Sequence, residues 1–339
     1  MKNIENFSFW KRGIEFLDTK YPIISGAMTW ISDSRLVISV GKAGGLGVLA
    51  AGNMPVDLFE KEIDVLKNSK VNYAVNLITI APNYMNHLKL AVEKKVPFIV
   101  FAGSFPRKSE VEMAKSSGTK VMCFASTESI AERMISYGTD ALILEGSEAG
   151  GHIGHVSTIV LLQQVLFNFP NIPIFVAGGI ATGKMIAHLF LMGVSGVQMG
   201  TIFAMSEESP AHEKFKTRFK KARAREAFAT PQYDSSLPVV AVRALKNKGM
   251  DNFGNLQLEL LRKLNSGDIS RIDAQYEVEK YWVGALRKAV VDGNIEEGSL
   301  MAGQSVGLVD EIKSVKDIIK DLVAGSNKAF NEAYDLLNT

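Results

Sequence analysis

The chain has 339 residues, 47% of them apolar and 22% charged, with a formal net charge of +2, a composition ordinary for a water-soluble globular protein. A single cysteine, Cys123, excludes an internal disulfide framework and a cysteine-based zinc site, and the near-neutral charge gives no whole-molecule attraction to nucleic acid. No apolar run approaches the ~18 residues of a membrane helix, and residues 1–20 mix Lys, Arg, Glu and Asp among their apolar positions, against a secretory signal, so a cytoplasmic protein is expected.

Residues 7–17 have helical spacing. After them one unit recurs, an apolar strand of about five residues followed by a helical segment of about ten to fifteen. The predicted strands are 22–26, 46–50, 73–77, 97–101, 120–124, 141–144, 173–177 and 196–200. The predicted helices begin at Asp33 or Ser34, good N-caps, and then cover 55–67, 83–94, 108–116, 127–137, 158–167 and 182–192. Eight strand-helix units at spacings of roughly 25 residues imply a parallel sheet, and eight is the number that closes a barrel. An open doubly wound sheet would carry its glycine-rich phosphate loop after the first strand. Here that strand ends in Ser25-Gly26-Ala27-Met28, and the glycine-rich ends follow strands six, seven and eight. The predicted fold class is an α/β TIM barrel, with residues 1–205 and 299–339 forming the barrel.

From residue 206 to 298 the period breaks. A basic helix over 213–225, loop and short extended pieces over 231–242, and helices over 256–264 and 274–290 predict a mainly helical lid over one end of the barrel. A second glycine-containing stretch, 298–309, and a last helix over 315–337 close the chain.

In a TIM barrel the loops that follow the strands converge on one face. Met28, Asn76, Glu145, His152, Gly178, Gly179 and the run Gln198-Met199-Gly200-Thr201 therefore share that face. The backbone N–H groups of Gly178, Gly179, Gly200 and Thr201 can form a phosphate cup. Asn76 and Gln198 each offer a donor and an acceptor to the edge of a flat heteroaromatic ring, and Ala27 and Met28 can pack on its face. The loop Glu145-Gly146-Ser147-Glu148-Ala149-Gly150-Gly151-His152 makes a backbone cradle with an imidazole above it. Together these describe a flavin mononucleotide (FMN) pocket better than a sugar-phosphate site, which would carry more lysines and carboxylates at its strand ends. No metal site is expected.

The other candidates have plainer readings. His155 is solvated, His212 starts the lid helix, and His87 and His188 lie on outer helices. Cys123 is a buried apolar residue of the fifth strand. The basic run Lys214, Lys216, Arg218, Lys220, Lys221, Arg223 and Arg225 is first a solvated helix face. Its functional alternatives are contact with the 2′-phosphate of NADPH or docking of an acidic acyl carrier protein. It lacks the aromatic residues that would stack on RNA bases.

With these residues in view, the chain resembles the flavin-dependent nitronate monooxygenase family (once called 2-nitropropane dioxygenases), which also contains the flavin-type enoyl-acyl-carrier-protein reductase II. The similarity runs from Tyr21-Pro22-Ile23 to Gly307-Leu308-Val309 and is strongest at the Glu145 to His152 run, Ala177-Gly178-Gly179-Ile180, Gln198-Met199-Gly200-Thr201 and Met301-Ala302-Gly303-Gln304. It implies non-covalent FMN, a TIM barrel with a smaller lid, His152 as the catalytic histidine, and flavin contacts at Asn76, Glu145, Gly150, Gly151, Gly179 and residues 198–201. Many nitronate enzymes carry Gln where Glu145 stands, whereas the enoyl reductases carry Glu. Nitronate monooxygenase, with His152 as base and a nitronate or nitroalkane as substrate, is the first expectation. The alternative is an enoyl-acyl-carrier-protein reductase II using NADPH or NADH on an acyl thioester, and a further one is a non-catalytic barrel that binds a phosphorylated ligand. A homodimer is compatible with each.

Overall fold

A computed structural model describes residues 8–237 and 239–337. Phe7, at the start of the first expected helix, and residue 238, within the expected loop 231–242, lie outside the described residues. Nine strands run in chain order through the first two thirds: Ile23–Ser25 (β1), Leu46–Ala50 (β2), Tyr73–Ile78 (β3), Phe98–Ala102 (β4), Lys120–Ala125 (β5), Ala141–Glu145 (β6), Gly151–His152 (β7), Ile174–Ala177 (β8) and Gly196–Met199 (β9). All but β7 pair in parallel around a closed barrel, in the order β1-β2-β3-β4-β5-β6-β8-β9, with β1 returning to β9. The (β/α)8 barrel read from the sequence is what the chain forms.

The strands read as near-continuous apolar runs because both faces are covered. One face meets the surrounding helices and the other fills the barrel. The interior is an apolar cluster that includes Ile24, Val48, Ala74, Phe98, Val100, Met122, Ile143 and Phe175. Its floor is closed by the first helix, Ser8–Leu17: Leu17 joins the interior cluster, and the Phe16 ring packs 5.8 Å from both Phe98 and Phe175. Helix starts follow the expected caps. The side chains of Asp33, Thr127 and Thr182 accept from the backbone N–H groups of Leu36, Ile130 and Met185. The last helix, Val315–Leu337, has the limits its periodicity predicts.

The stretch 206–298 is mainly helical with short extended pieces, as expected, but those pieces form a sheet that the sequence did not indicate. Ala227–Ala229 (β10) and Val242–Leu245 (β11) pair antiparallel, and β11 pairs in turn with β7, so a three-stranded sheet ties this stretch to the loop after β6. The basic helix is also shorter than expected. It covers Glu213–Lys220 and is followed by a separate 3₁₀ turn, Ala224–Glu226, held back against it by an Arg218–Glu226 ion pair at 2.8 Å. Lys216 is not on a solvated face: it is buried, and its Nζ donates to the carbonyls of Ser206 and Ser209 at 2.6 and 2.8 Å. The ammonium is tolerated there because backbone oxygens replace its water. Helices Lys248–Ser266 and Arg271–Val290 pack around a local apolar cluster of Leu237, Val242, Phe253, Val278 and Trp282.

Among the described residues no helix is long and apolar enough to cross a membrane, and no group of three or more His, Cys, Asp or Glu is arranged to hold a metal.

Candidate active site

Side chains alternate along a strand, so the residue two positions beyond an interior residue also faces inward. Asn76 follows Ala74, Glu145 follows Ile143, Ala177 follows Phe175, and Phe124 follows Met122. Register sets part of this top layer side by side: Glu145 is opposite Ala177, Ala177 opposite Gln198, and Gln198 opposite Ile24. Above the layer the mouth of the barrel opens into a cavity of about 630 Å³. All the residues singled out from the sequence for a ligand, from Ala27 through His152 to Thr201, line this one cavity, and the exposed His155 stands at its wall.

The polar members of the layer are held differently. The Asn76 amide donates to the Val100 carbonyl at 3.2 Å, which leaves Oδ1 as its acceptor for a ligand. Gln198 lies across Gly26, where a Cβ would stand only 3.0 Å from its Cδ. Glu145 rests on the apolar interior, and burial pushes its carboxyl up from 4.5 to about 8. At neutral pH this carboxyl is therefore a neutral acid, able to donate a hydrogen bond.

This shift has a measurable consequence. Between about 4.5 and 8 the folded chain keeps a proton that the unfolded chain has lost, so stability falls as pH rises through that window. Glu145→Gln is expected to remove the slope. The melting temperature of flavin-free protein should rise at about pH 9 and stay nearly unchanged near pH 4. The same slope in both proteins would mean that the carboxyl is not held neutral.

Gly178 and Gly179 follow β8 with φ of 94° and 75°, the left-handed region that side chains avoid, and make the turn into helix Gly183–Met192. Gly200 is a different case. Its φ is −112°, and the nearest atom to an added Cβ is Met28 Sδ at 3.5 Å. Neither backbone conformation nor packing demands a glycine there. The space belongs to the cavity. Gly150 is different again, for a Cβ would stand 2.4 Å from the Gly303 nitrogen. Its missing side chain admits the 301–304 stretch, which is laced down by the Gln304 N–H on the Glu148 carbonyl at 2.9 Å and the Gly303 N–H on Thr201 Oγ1 at 3.1 Å.

His152 sits on β7. Its backbone lies opposite Val242, and the next N–H, of Ile153, donates to the Ala241 carbonyl at 2.9 Å. The ring Nε2 is secluded from solvent and makes no hydrogen bond, and the closest charged atom is Glu279 Oε1 at 3.5 Å. That separation is an ion-pair distance without hydrogen-bond alignment.

Three charged groups that shape the site escape sequence reading. Glu148 looks like a loop carboxylate, but it caps helix Thr158–Val165, accepting from both the N–H and the hydroxyl of Thr158 at 2.9 Å. Arg243 donates to the Ser147 carbonyl at 2.9 Å and to the Ala227 carbonyl at 2.6 Å, tying the glycine loop to the small sheet. Glu279, the carboxylate nearest His152, interrupts an otherwise apolar helix stripe with Val283, Leu286 and Val290.

The cavity fits FMN. The glycine turns supply N–H donors for a phosphate, Asn76, Glu145 and Gln198 supply both kinds of hydrogen-bonding group for a ring edge, and Gly200 keeps open a space the protein does not itself use.

Comparison with known proteins agrees with this geometry. The model of a family described as "Nitronate monooxygenase" matches residues 11–69 and 65–325. The solved structure of FabK from Thermotoga maritima is 35% identical, superposes with a TM-score of 0.84, and covers 96% of this chain and 98% of its own. A probable nitronate monooxygenase of Staphylococcus saprophyticus is 29% identical over 93% of this chain and 97% of its own length. A Rhodococcus jostii protein, (3aS,4S,5R,7aS)-5-hydroxy-7a-methyl-1-oxo-octahydro-1H-indene-4-carboxyl-CoA dehydrogenase, is 27% identical over 93% of this chain and 95% of its own.

Proposed function

Because the chain belongs to the nitronate monooxygenase family, an assembly of oxidoreductases, we propose that it is an FMN-dependent reductase of conjugated enoyl thioesters, of the enoyl-acyl-carrier-protein reductase II type. The observation that carries this reading is the position of His152 Nε2. It is secluded and unbonded in a cavity whose lining joins the polar strand-end residues to the apolar Ile153, Val239, Leu286 and Val290. An acyl chain needs such apolar lining, and its thioester carbonyl needs a donor beside it. The likeness to FabK, an enoyl-acyl-carrier-protein reductase II, and to a carboxyl-CoA dehydrogenase supports a thioester substrate. Glu145 supports the same branch.

In this reading Gly178, Gly179, Gly200 and Thr201 hold the phosphate of FMN. Asn76, Glu145 and Gln198 meet the edge of its ring, and Ala27 and Met28 its face. Bound FMN, reduced by NADPH or NADH, supplies the hydride that the β-carbon takes up. His152 orients the thioester carbonyl and gives the proton that completes the α-carbon. The stretch 206–298 acts as the lid that excludes water. The exposed cations Lys214, Lys220, Lys221, Arg223 and Arg225 receive the acidic carrier protein.

A second reading, nitronate monooxygenase, is favoured by the Staphylococcus relative. There His152 would take the proton from the carbon acid. Steady-state assay separates the two. The expected result is NADPH or NADH oxidation that accelerates on addition of a 2-enoyl thioester and consumes one nucleotide per double bond. Oxygen-consuming turnover of a nitronate without nucleotide, and no turnover of the thioester, would overturn the reductase.

A further inference from the structure

One face of the helix Arg271–Val290 carries Glu279, Val283, Leu286 and Val290, spaced i, i+4, i+7 and i+11 as neighbours on one side of a helix must be. Leu286 and Val290 line the cavity. The Val283 carbonyl accepts from Trp30 Nε1 at 3.1 Å, which joins this helix to the loop after β1. One turn earlier Glu279 stands 3.5 Å from His152 Nε2. Its side chain is only 23% exposed, and it has no other ion pair among the described residues. A partly buried carboxylate on an apolar stripe costs desolvation, and the imidazole is the group there that can offset it.

We propose that Glu279 is the positioning residue for His152, so that seating of the lid helix prepares the imidazole for proton transfer. At 3.5 Å the carboxylate faces Nε2 without a hydrogen bond, so the ring nitrogen's hydrogen-bonding capacity is unspent within the fold. Charge that develops on the imidazole is met from the lid side. The backbone of His152 is fixed by β11 and its ring by Glu279, so both constraints come from the stretch 206–298 rather than from the barrel. This rests on the reading of His152 as the catalytic residue.

The test uses the FMN-loaded full chain. In E279Q, kcat for the enoyl thioester is expected to fall about 10- to 100-fold, as when the group orienting a reactive residue is removed, while KM changes less than about threefold. E277Q removes a carboxylate from the same helix whose ion-pair partner is Lys280 rather than His152, and its kcat is expected to stay close to that of the parent. The second readout needs no turnover. Diethylpyrocarbonate modification of His152, followed by mass spectrometry with the exposed His155 as internal reference, is expected to quicken severalfold in E279A. A kcat unchanged in E279Q, or an equal fall in E277Q, overturns the proposal. If the parent has no thioester reductase activity, the reductase reading fails by itself, and the footprint decides the pairing: a His152 rate unchanged in E279A overturns it.

Discussion

His152→Ala is expected to lower turnover about 10²- to 10⁴-fold, the usual contribution of a positioned acid or base, with flavin still bound at one per chain. The two halves of this result have separate causes. Nε2 makes no hydrogen bond within the fold, so its removal breaks none, and the carboxylate it leaves without an ion-pair partner, Glu279, lies on the lid helix. What holds residue 152 in place is backbone, the β7 pairing with Val242 and the Ile153 N–H on Ala241, and alanine preserves both. The proposed flavin cradle lies elsewhere, in the turns after β8 and β9 and in the top layer of the barrel. Turnover measured against flavin absorbance on the same sample separates chemistry from cofactor loss. A variant with full flavin and parental turnover would remove His152 from the reaction.

Gly200→Val is expected to do the reverse, sparing the fold and costing the cofactor. At this position the backbone is outside the left-handed region, and the first protein atom a Cβ meets is Met28 Sδ at 3.5 Å. The flavin-free variant should melt close to the parent. The valine methyl groups would instead occupy cavity space, and FMN affinity should fall about a hundredfold, equivalent to about 2.7 kcal/mol. Melting of the flavin-free protein and equilibrium titration with FMN check the two parts. An unstable variant would mean that glycine at 200 serves the fold, as it does at 150, where Ala302 and Gly303 fill the space.

The barrel was legible because each of its units repeats the same chemistry. Residues 46–50 form a strand with the limits expected, since an apolar run bounded by Gly44-Gly45 and a later Pro55 leaves few other choices. Asp33 marks its helix start because the cap is a local hydrogen bond. Convergence of the strand-end residues was legible too, for closure of eight parallel strands brings their carboxyl ends together. What sequence could not carry was anything decided by a distant partner. Gly151–His152 has no strand propensity and becomes one only because β11 lies beside it. Lys216 looks like its six basic neighbours until the carbonyls of Ser206 and Ser209 enclose it. Glu145 is visibly a carboxylate at a strand end, but its neutral form depends on the apolar layer beneath. Glu279 meets His152 across more than a hundred residues of chain, and no spacing encodes that.

The most direct measurement is titration of the flavin-stripped protein with FMN and, separately, with riboflavin, followed by flavin fluorescence. Saturable one-to-one binding of FMN, with riboflavin much weaker because it lacks the phosphate that the Gly178–Gly179 and Gly200–Thr201 turns are proposed to receive, is the expected result. Failure to bind FMN, or equal affinity for the two flavins, would contradict it.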